Sequence, residues 1–434
     1  MLSVMRNRIY RHLFTAQVVA LVGTGLATVA LSLLAYDIAG DGASAVLGTA
    51  LAIKMAAYVG IAPLAGAVAD RIPRRTLMVA MDITRAGVAL ALPFVTQVWE
   101  IYVLIFFLQA ASAAFTPTFQ ATIPEVLPAE RDYTRALSLS RLAYDLESLF
   151  SPALAVGLLT LISYNWLFVG TMAGFLASAA LVVSVALPKP VPVERSGGAR
   201  AKAAFGARLF WATPRLRALL ALDLAVAAAG AIIFVCTVVV VRDHFHRPES
   251  ALSLALGAYG AGSIATALTL PAILAAVAAL GVAPPSTWSW AGILLAWAAI
   301  GAACSAVLTP GGRVIRRSAT TPDLPAAFSA QFSLSHGCWL LTYPLAGWLA
   351  AGTGLPVTAT VLGTIALAAT LAATVMWPAV DPTQLDHVHA ELQPGHPHLT
   401  GARSISGGWQ HRHDYAIDRH HHTWPTSRRT LSRP

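Results

Sequence analysis

Charged side chains are scarce in this sequence, since Asp, Glu, Lys and Arg together make up only 11% of its 434 residues. Soluble domains carry about 25% charged residues, so an ordinary soluble fold is excluded for most of the chain. Apolar runs of about 20 residues recur through the first 378 positions, and each can cross the hydrocarbon core of a bilayer as a helix. The short alternating segments of a membrane barrel are absent. The composition therefore predicts an all-α polytopic membrane protein.

Cysteine and the common catalytic motifs are also lacking. The three cysteines, Cys236, Cys304 and Cys338, all fall inside apolar runs, so a disulfide framework is not expected. No G-x-x-x-x-G-K-S/T pattern occurs, which argues against direct use of ATP. Neither a nucleophile–base pair nor the metal-binding helix H-E-x-x-H is found, so a membrane-embedded enzyme is not indicated. We expect a protein that is not an enzyme and requires no cofactor.

The apolar runs fall into two groups and predict twelve crossings. Residues 1–187 are expected to form a six-helix bundle, 188–216 a basic linker, 217–378 a second bundle and 379–434 a His-rich tail. The ninth crossing is expected to be shortened or partly inserted, because Pro271 to Ala283 would span only ~20 Å as a helix. The other predicted spans lie near 13–36, 44–68, 76–96, 101–123, 137–162, 165–187, 217–241, 251–270, 288–310, 327–351 and 355–377.

The net charge of +9 is concentrated in the loops of one side. Between Lys189 and Arg217 seven basic residues face a single acidic residue, Glu194. This is the positive-inside pattern, and it places the linker and both termini in the cytoplasm of a bacterial-type inner membrane. Attraction to anionic lipid headgroups is expected, and nucleic acid is not an expected partner.

A compact charged turn, G-A-V-A-D-R-I-P-R-R at residues 66–75, joins the second and third predicted spans. Buried charge is costly in lipid, so this turn must lie at the cytoplasmic surface. It resembles the signature G-x-x-x-D-R-x-x-R-R of major facilitator superfamily transporters, although Pro73 stands where that family usually has Gly. The positions that fit the signature are Gly66, Asp70, Arg71, Arg74 and Arg75.

Two further segments, L-S-L-S-R-L-A-Y-D-L-E-S-L-F-S-P-A-L (137–154) and Q-F-S-L-S-H-G-C-W-L-L-T-Y-P-L-A-G-W-L (331–349), look like the branch of that superfamily that includes macrolide and enterobactin exporters. The resemblance covers roughly residues 5–378. It implies two six-helix bundles that rock around a central site. It also implies that Asp70 and the arginines of the turn act in gating, and that export is driven by proton antiport.

The fifth predicted span carries an unusual load of polar side chains. Arg141 and Asp145 are spaced i, i+4 on a helix and can form an internal ion pair. Glu147 has no cation within reach along its own stripe, so it is our candidate to carry a proton or bind a cation. The alternative is that Arg141 and Asp145 simply lie at headgroup depth.

Other polar residues inside predicted spans are candidates for the substrate path. His336, in the eleventh span, could relay protons or ligate a soft cation, or be a satisfied structural residue. Polar stripes in the first and fourth spans can line a cavity or bind helices together through hydrogen bonds. Asp223 and the Asp82–Arg85 pair are expected near the cytoplasmic face, in a structural or gating role. The candidates for lining the cavity are Gln109, Thr116, Tyr144 and Cys338.

The last segment is polar, Pro-rich and too poor in apolar residues to bury a core, so we expect it to be mostly disordered. Nine of the thirteen histidines lie here, mostly as H-x-H pairs. In an extended chain such pairs offer two imidazoles to one metal ion, which suits Zn²⁺, Ni²⁺, Co²⁺ or Cu²⁺. The alternative is a weakly chelating tail with no role in transport. The candidate ligands are His387, His389, His396, His398, His411, His413, His420, His421 and His422.

The function that these patterns favour is secondary active export of a small toxic solute, coupled to protons, by a monomer. A divalent metal ion is slightly favoured as the substrate, because the tail is similar to that of superfamily members associated with nickel resistance and few aromatics project from the predicted cavity stripes. A multidrug or macrolide-type organic efflux pump is the alternative. A sensor or paralogue without transport activity is a third hypothesis, favoured by the short ninth span.

Overall fold

The computed structural model describes residues 2–69, 72–187, 199–262, 286–320, 323–378, 384–390, 392–393, 396–418, 420–421 and 423–425. The first half contains six long helices. They are α1 (Arg8–Ala39), α2 (Ala43–Ala69), α3 (Arg74–Ala91), α4 (Val98–Val126), α5 (Glu130–Leu159) and α6 (Tyr164–Val183).

The second half follows a shorter helix, α7 (Ala199–Ala212), that lies within the predicted linker. A π-helical turn, Val240–His244, extends its first long helix, and a small antiparallel sheet follows the last one. The elements are α8 (Pro214–Val239), α9 (Glu249–Gly262), α10 (Thr287–Arg316), α11 (Leu324–Thr353), α12 (Leu355–Met376), β1 (Gln384–His389), β2 (Arg403–Ile405) and β3 (Gly408–Asp414).

Polar residues mark where the apolar helices begin. The side chain of Asn7 accepts a hydrogen bond from the backbone N–H of Tyr10 at 3.1 Å and so caps α1. Ser286 and Ser289 satisfy each other's backbone N–H groups at the start of α10. Such caps pair the N–H groups that the first turn of a helix cannot pair internally, and they fix where each span enters.

Seven helical segments in the described part of the chain are long and apolar enough to cross a membrane, and the first, Arg8–Ile61, runs through α1 and most of α2. The predicted ninth crossing lies outside the described residues, as does the end of the eighth. The count of twelve crossings therefore stays a prediction, while the mostly helical, membrane-capable architecture is confirmed.

The two halves meet through close backbone packing of α2 on α11. A Cβ atom added to Gly48 would lie 2.5 Å from the carbonyl oxygen of Tyr343 and 3.0 Å from Cα of Gly347. No side chain fits there, so these two glycines set the distance between the helices. A second contact, α5 with α9, also joins the halves. Apolar residues from both halves share one continuous core.

The described part of the tail contains a small antiparallel sheet. Strand β3 lies between β1 and β2, and β1 pairs with it over its whole length. Beyond the sheet, Tyr415 and Ile417 are buried against Leu209, Phe210 and Leu216 at one end of the second half. The tail does not need a core of its own, because the helix bundle provides the apolar surface on which it packs.

Candidate transport cavity and histidine cluster

A cavity of about 330 Å³ lies between the halves, lined mainly by α1, α2 and α4, with α5 and α6 and with residues of α8, α9 and α11 on its other side. Its polar lining includes Gln17, Thr24 and Thr28 from α1 and Gln109, Ser112 and Thr116 from α4. The hydroxyls of Thr24, Thr28 and Thr116 each donate to a backbone carbonyl of their own helix. These helices therefore present a surface whose hydroxyl donors are already used.

Lys54 and Glu147 face this cavity from α2 and α5. Their charges interact with each other, so Glu147 has a cationic neighbour on another helix although it has none along its own stripe. A Cβ atom at Gly25 would lie 2.9 Å from Oε1 of Glu147, so this glycine lets the carboxylate approach α1. The sequence prediction overlooked Lys54. A lone lysine in the middle of an apolar span was the signal that could have found it.

The fifth helix is fixed to the first by a buried polar contact. Ser140 Oγ donates to Oε1 of Gln17 at 3.0 Å, and both side chains are buried. The side chains of Arg141, Tyr144 and Asp145 lie outside what the structure describes. Their predicted ion pair and cavity position therefore stay predictions.

His336 and Cys338, on α11, are not among the residues that line the cavity. The ring of His336 packs 4.0 Å from that of Phe332 and 5.4 Å from that of Tyr58, which does line it. His336 Nδ1 lies 2.6 Å from the carbonyl oxygen of Phe332, so Nδ1 carries a hydrogen. Cys338 is buried.

Two carboxylates inside the bundle have contrasting environments. Asp82 accepts a hydrogen bond from Ser178 at 2.8 Å and pairs with Arg85, whose guanidinium lies 4.4 Å from the centre of the Phe115 ring. Asp223 Oδ2 accepts from Nε2 of Gln331 at 2.7 Å, but its Oδ1 has no hydrogen-bond partner among the described residues. Asp82 is thus held in a satisfied network, whereas Asp223 is not.

The arginines of the charged turn contact helices of the first half. Arg74 forms an ion pair with Glu125 of α4 at 2.8 Å, and Arg75 donates to the carbonyl of Val183 in α6. Gly66 lies in α2, while Asp70 and Arg71 fall outside the described residues. The gating role of the turn stays a prediction.

The end of the molecule opposite to this turn is closed by contacts between the halves. The hydroxyl of Tyr36, near the end of α1, donates to Oδ1 of Asp243 in the π-helical turn. The guanidinium of Arg242 lies 5.4 Å from the centre of the Tyr36 ring. Gly48 and Gly347 meet near the same end.

A second candidate site lies in the tail, where imidazoles converge. The Nε2 atoms of four histidines form a closed ring. The Nε2–Nε2 distances around it are 3.1 Å from His387 to His389, 3.2 Å from His389 to His398, 3.3 Å from His398 to His421 and 3.0 Å from His421 back to His387. Together with His413 they offer ligand atoms that all lie within 4.8 Å of one another. The group comprises His387, His389, His398, His413 and His421.

The remaining predicted tail ligands lie around this ring or beyond the described chain. The ring of His411 is 4.7 Å from that of His387, and the rings of His396 and His420 are 5.1 Å apart. His422 lies outside the described residues. Of the nine predicted ligands, the structure therefore brings a subset into one cluster.

Three histidines in this part of the tail resist protonation. Burial, with repulsion from neighbouring imidazoles, lowers the pKa of His389, His398 and His411 to about 4. Burial opposes ionisation of Asp418, but hydrogen bonds from His421 and from backbone N–H groups outweigh it, so the pKa of Asp418 is lowered. These three rings are therefore neutral near pH 7, which is the state that ligates a metal.

The family model described as Major Facilitator Superfamily matches residues 13–273. An uncharacterized MFS-type transporter of Bacillus subtilis (strain 168), YfiS, is 24% identical over 213 residues, which are 48% of this chain and 50% of that protein. Macrolide efflux protein A of Streptococcus pyogenes is 26% identical over 153 residues, 33% of this chain and 38% of that protein. The chain thus spans half or less of the length of these curated relatives.

Solved structures resemble the chain over a larger share of its length. A bacterial homologue of the human lysosomal transporter Spinster, inward-facing and unoccupied, covers 85% of this chain and 96% of its own, with a TM-score of 0.64 and 13% identity. A POT family transporter in complex with 5-aminolevulinic acid covers 84% of this chain and 95% of its own, with a TM-score of 0.67 and 12% identity. At such identities the likeness concerns the fold alone.

Proposed function

Because this chain belongs to the Major Facilitator Superfamily, we propose that it is a proton-coupled exporter of small amphipathic organic solutes in a bacterial inner membrane. The observation that carries this proposal is the lining of the cavity between the halves. Its volume of about 330 Å³ falls in the range of small-molecule pockets, which combine apolar and aromatic walls with a few polar groups. Six aromatic side chains line it: Tyr58, Phe115, Phe175, Phe234, Tyr259 and Tyr343.

These aromatics change the ranking of substrates that the sequence alone favoured. The predicted polar stripes carried few aromatic residues. In the structure, aromatic side chains that line the cavity come from α2, α6, α8, α9 and α11. Within the described lining, Glu147 is the one carboxylate, and Lys54 and Arg85 bring positive charge. Positive charge repels a divalent cation, whereas an amphipathic organic molecule can use both the apolar walls and the charged pair.

Coupling to protons is assigned to Glu147. When ionised, the carboxylate of Glu147 is attracted to the ammonium group of Lys54. When protonated, it is neutral and this attraction is lost. Proton arrival therefore changes the charge that the cavity offers to a solute. Transport requires such a difference in interaction free energy between the two states of the transporter, because a ligand shifts an equilibrium only by its differential affinity.

Export also requires a direction. The positive-inside pattern places the charged turn, the basic linker and both termini in the cytoplasm. The contacts of Tyr36 with Asp243 and of Gly48 with Gly347 then close the outer end of the molecule. In this arrangement the cavity would receive a solute from the cytoplasm, and rocking of the halves would open the outer end.

Export of a divalent metal ion is the second candidate, favoured by one observation, the ring of four converging imidazoles of the tail. Nickel, cobalt and zinc are the ions to test, because imidazole suits all three.

An accumulation assay in an efflux-deficient bacterial host tests both candidates. Cells that carry the full chain, the Glu147→Gln variant or an empty vector would be loaded with erythromycin or ethidium, and separately with nickel, cobalt or zinc. We expect the full chain to lower the accumulation of at least one organic compound severalfold, and Glu147→Gln to abolish the effect. Asp41→Asn is the matched control, because Asp41 is an exposed carboxylate in the loop between α1 and α2.

Each other outcome has a defined meaning. If only metal accumulation falls, the second candidate replaces the first. If Glu147→Gln exports as well as the full chain, the coupling assignment is wrong. If the purified chain binds a solute but no accumulation changes at confirmed membrane expression, the protein is a sensor without transport activity.

A further inference from the structure

Two imidazoles of the tail face each other in a way that neutral rings do not favour. Nδ1 of His387 lies 3.0 Å from the carbonyl oxygen of Leu385, and Nδ1 of His421 lies 2.9 Å from Oδ1 of Asp418. A carbonyl and a carboxylate only accept, so each Nδ1 carries a hydrogen, and in a neutral ring Nε2 then presents a lone pair. The two Nε2 atoms nevertheless lie 3.0 Å apart. In neutral rings these two lone pairs repel unless a metal ion or a shared proton lies between them.

The other two members of the ring complete a set of four nitrogen ligands. The four Nε2 neighbours are separated by 3.0 to 3.3 Å. Metal–nitrogen bonds of 2.0–2.1 Å place adjacent ligands about 3.3 Å apart in a tetrahedron and about 2.9 Å apart in a square. The observed separations lie within or at the edge of this interval. A set of four neutral imidazoles suits Zn²⁺, Ni²⁺, Co²⁺ or Cu²⁺ and offers little to Mg²⁺ or Ca²⁺.

We propose that His387, His389, His398 and His421 bind one divalent transition-metal ion, and that this ion fastens the tail to the linker helix α7 and so regulates the transporter. The site is built by the fold of the tail, not by a flexible chelating chain. This inference does not depend on which solute is exported, because the ion acts from outside the transport cavity.

The residue that connects the ligands to α7 is Asp418. Its carboxylate orients the ring of His421 and accepts from the backbone N–H groups of His420 and His421 at 2.7 and 2.8 Å. Its backbone carbonyl accepts a hydrogen bond from Nη2 of Arg208, in α7, at 3.2 Å. A carboxylate behind a metal-bound histidine is a common arrangement that fixes the ring and raises its basicity.

Apolar and cation–π contacts extend the same attachment. Tyr415 and Ile417, which precede Asp418, are buried against Leu209 and Phe210 of α7. Beyond His421, the ring of Trp424 lies 5.1 Å from the guanidinium carbon of Arg215, at the start of α8. The ion would therefore order a stretch of the tail that packs on the bundle.

Helix α7 is itself packed closely on the second half. A Cβ atom at Gly206 would lie 2.7 Å from the carbonyl oxygen of Ala326 and 2.8 Å from Cβ of Ala330, both in α11. The chain between α6 and α8 must follow any rocking of the two halves. A metal-loaded tail would hold α7 more firmly on the second half. Fewer residues between α6 and α8 could then change conformation as the two halves rock.

The test uses the full chain in lipid nanodiscs, stripped with EDTA and then titrated with Zn²⁺ or Ni²⁺ against a colorimetric chelator. We expect one tight ion per chain, and slower hydrogen exchange of the amides of residues 204–212 when the ion is bound. His389→Ala should lower the affinity at least tenfold. His396→Ala is the matched control, since this imidazole belongs to the tail but lies outside the ring of four, and it should change the affinity less than twofold.

Binding and docking must affect each other equally, because linkage is reciprocal. Arg208→Ala, which removes a docking contact and no ligand, should therefore weaken metal binding about fivefold, within the range of typical coupling free energies. Equal losses for His389→Ala and His396→Ala would overturn the four-histidine site. Tight binding with unchanged exchange in residues 204–212 would overturn the attachment to α7.

Discussion

Arg208 and Asp418, 210 positions apart in the sequence, are joined by a hydrogen bond of 3.2 Å from Nη2 to the backbone carbonyl oxygen. The bond connects the linker between the halves to the loop that carries the last histidine of the cluster. Asp418 therefore has two roles, since its carboxylate holds His421 while its main chain holds α7.

The Asp418→Asn substitution should weaken metal binding by the tail. Loss of the carboxylate removes the acceptor that orients His421, and changes to such supporting groups cost about 10- to 100-fold in metal affinity. Chelator competition on the full chain measures the effect. Asp386→Asn is the control, because strand alternation points Asp386 to the face of β1 opposite to His387. Equal affinities for the two variants would contradict the prediction.

The Gly48→Ala substitution should destabilise the arrangement in which the outer end is closed. The added Cβ would meet the backbone of α11 at 2.5 Å, which forces the two helices apart. Overpacking of this kind costs about 1–3 kcal/mol. Thermal unfolding in detergent should show a lower midpoint. Gly87→Ala provides the control, since a Cβ there meets nothing within 4 Å and alanine favours a helix. Equal midpoints would show that the contact does not hold the halves together.

Lys54 and Glu147 should behave as a coupled pair. We expect Lys54→Met and Glu147→Gln each to lower the thermal midpoint, because each leaves one charge without its neighbour inside the bundle. The double variant should be more stable than the sum of the two losses predicts. Thermal unfolding of the four proteins of this cycle is the measurement. Strict additivity would mean that the charges do not interact.

Acidification should unfold the metal-free tail. The folded state holds His389, His398 and His411 with pKa values of about 4, below the ordinary 6.5. The unfolded tail therefore takes up protons first, and stability that is complete above pH 6.5 is lost as the pH falls towards 4. Hydrogen exchange of residues 384–414 in EDTA-treated protein, corrected for intrinsic rates, should show this loss of protection. Unchanged protection at pH 4.5 would contradict it.

The fold of the membrane part was largely predictable, because apolar runs of bilayer length can only be spanning helices or buried cores. The cavity was predictable in part. Polar residues at helical spacing, such as Gln109 and Thr116, indicated which helices line it, and the structure places both there. The neighbour of Glu147 was missed because the spacing along one helix contains no information about Lys54 on another.

The small sheet in the described part of the tail was not predicted. The low apolar content of the tail predicted a mostly disordered segment, and that argument considers only a core that the segment buries by itself. Tyr415 and Ile417 pack instead on residues of α7 and α8 that are more than 190 positions earlier in the chain. Pairing of β1 with β3 then brings His387 opposite His411, a relationship that H-x-H spacing alone does not give.

The packing of Ile417 against the second half has a consequence for biosynthesis. A ribosome completes this segment after the described helices of both halves, so Phe210, Leu216 and the residues around them lack their tail neighbours while the bundle is being inserted. Their apolar surface is available to chaperones or to neighbouring nascent chains until the last residues emerge. A premature stop codon in the tail would leave that surface open permanently, and quality-control proteases could recognise it even though every membrane helix had been made.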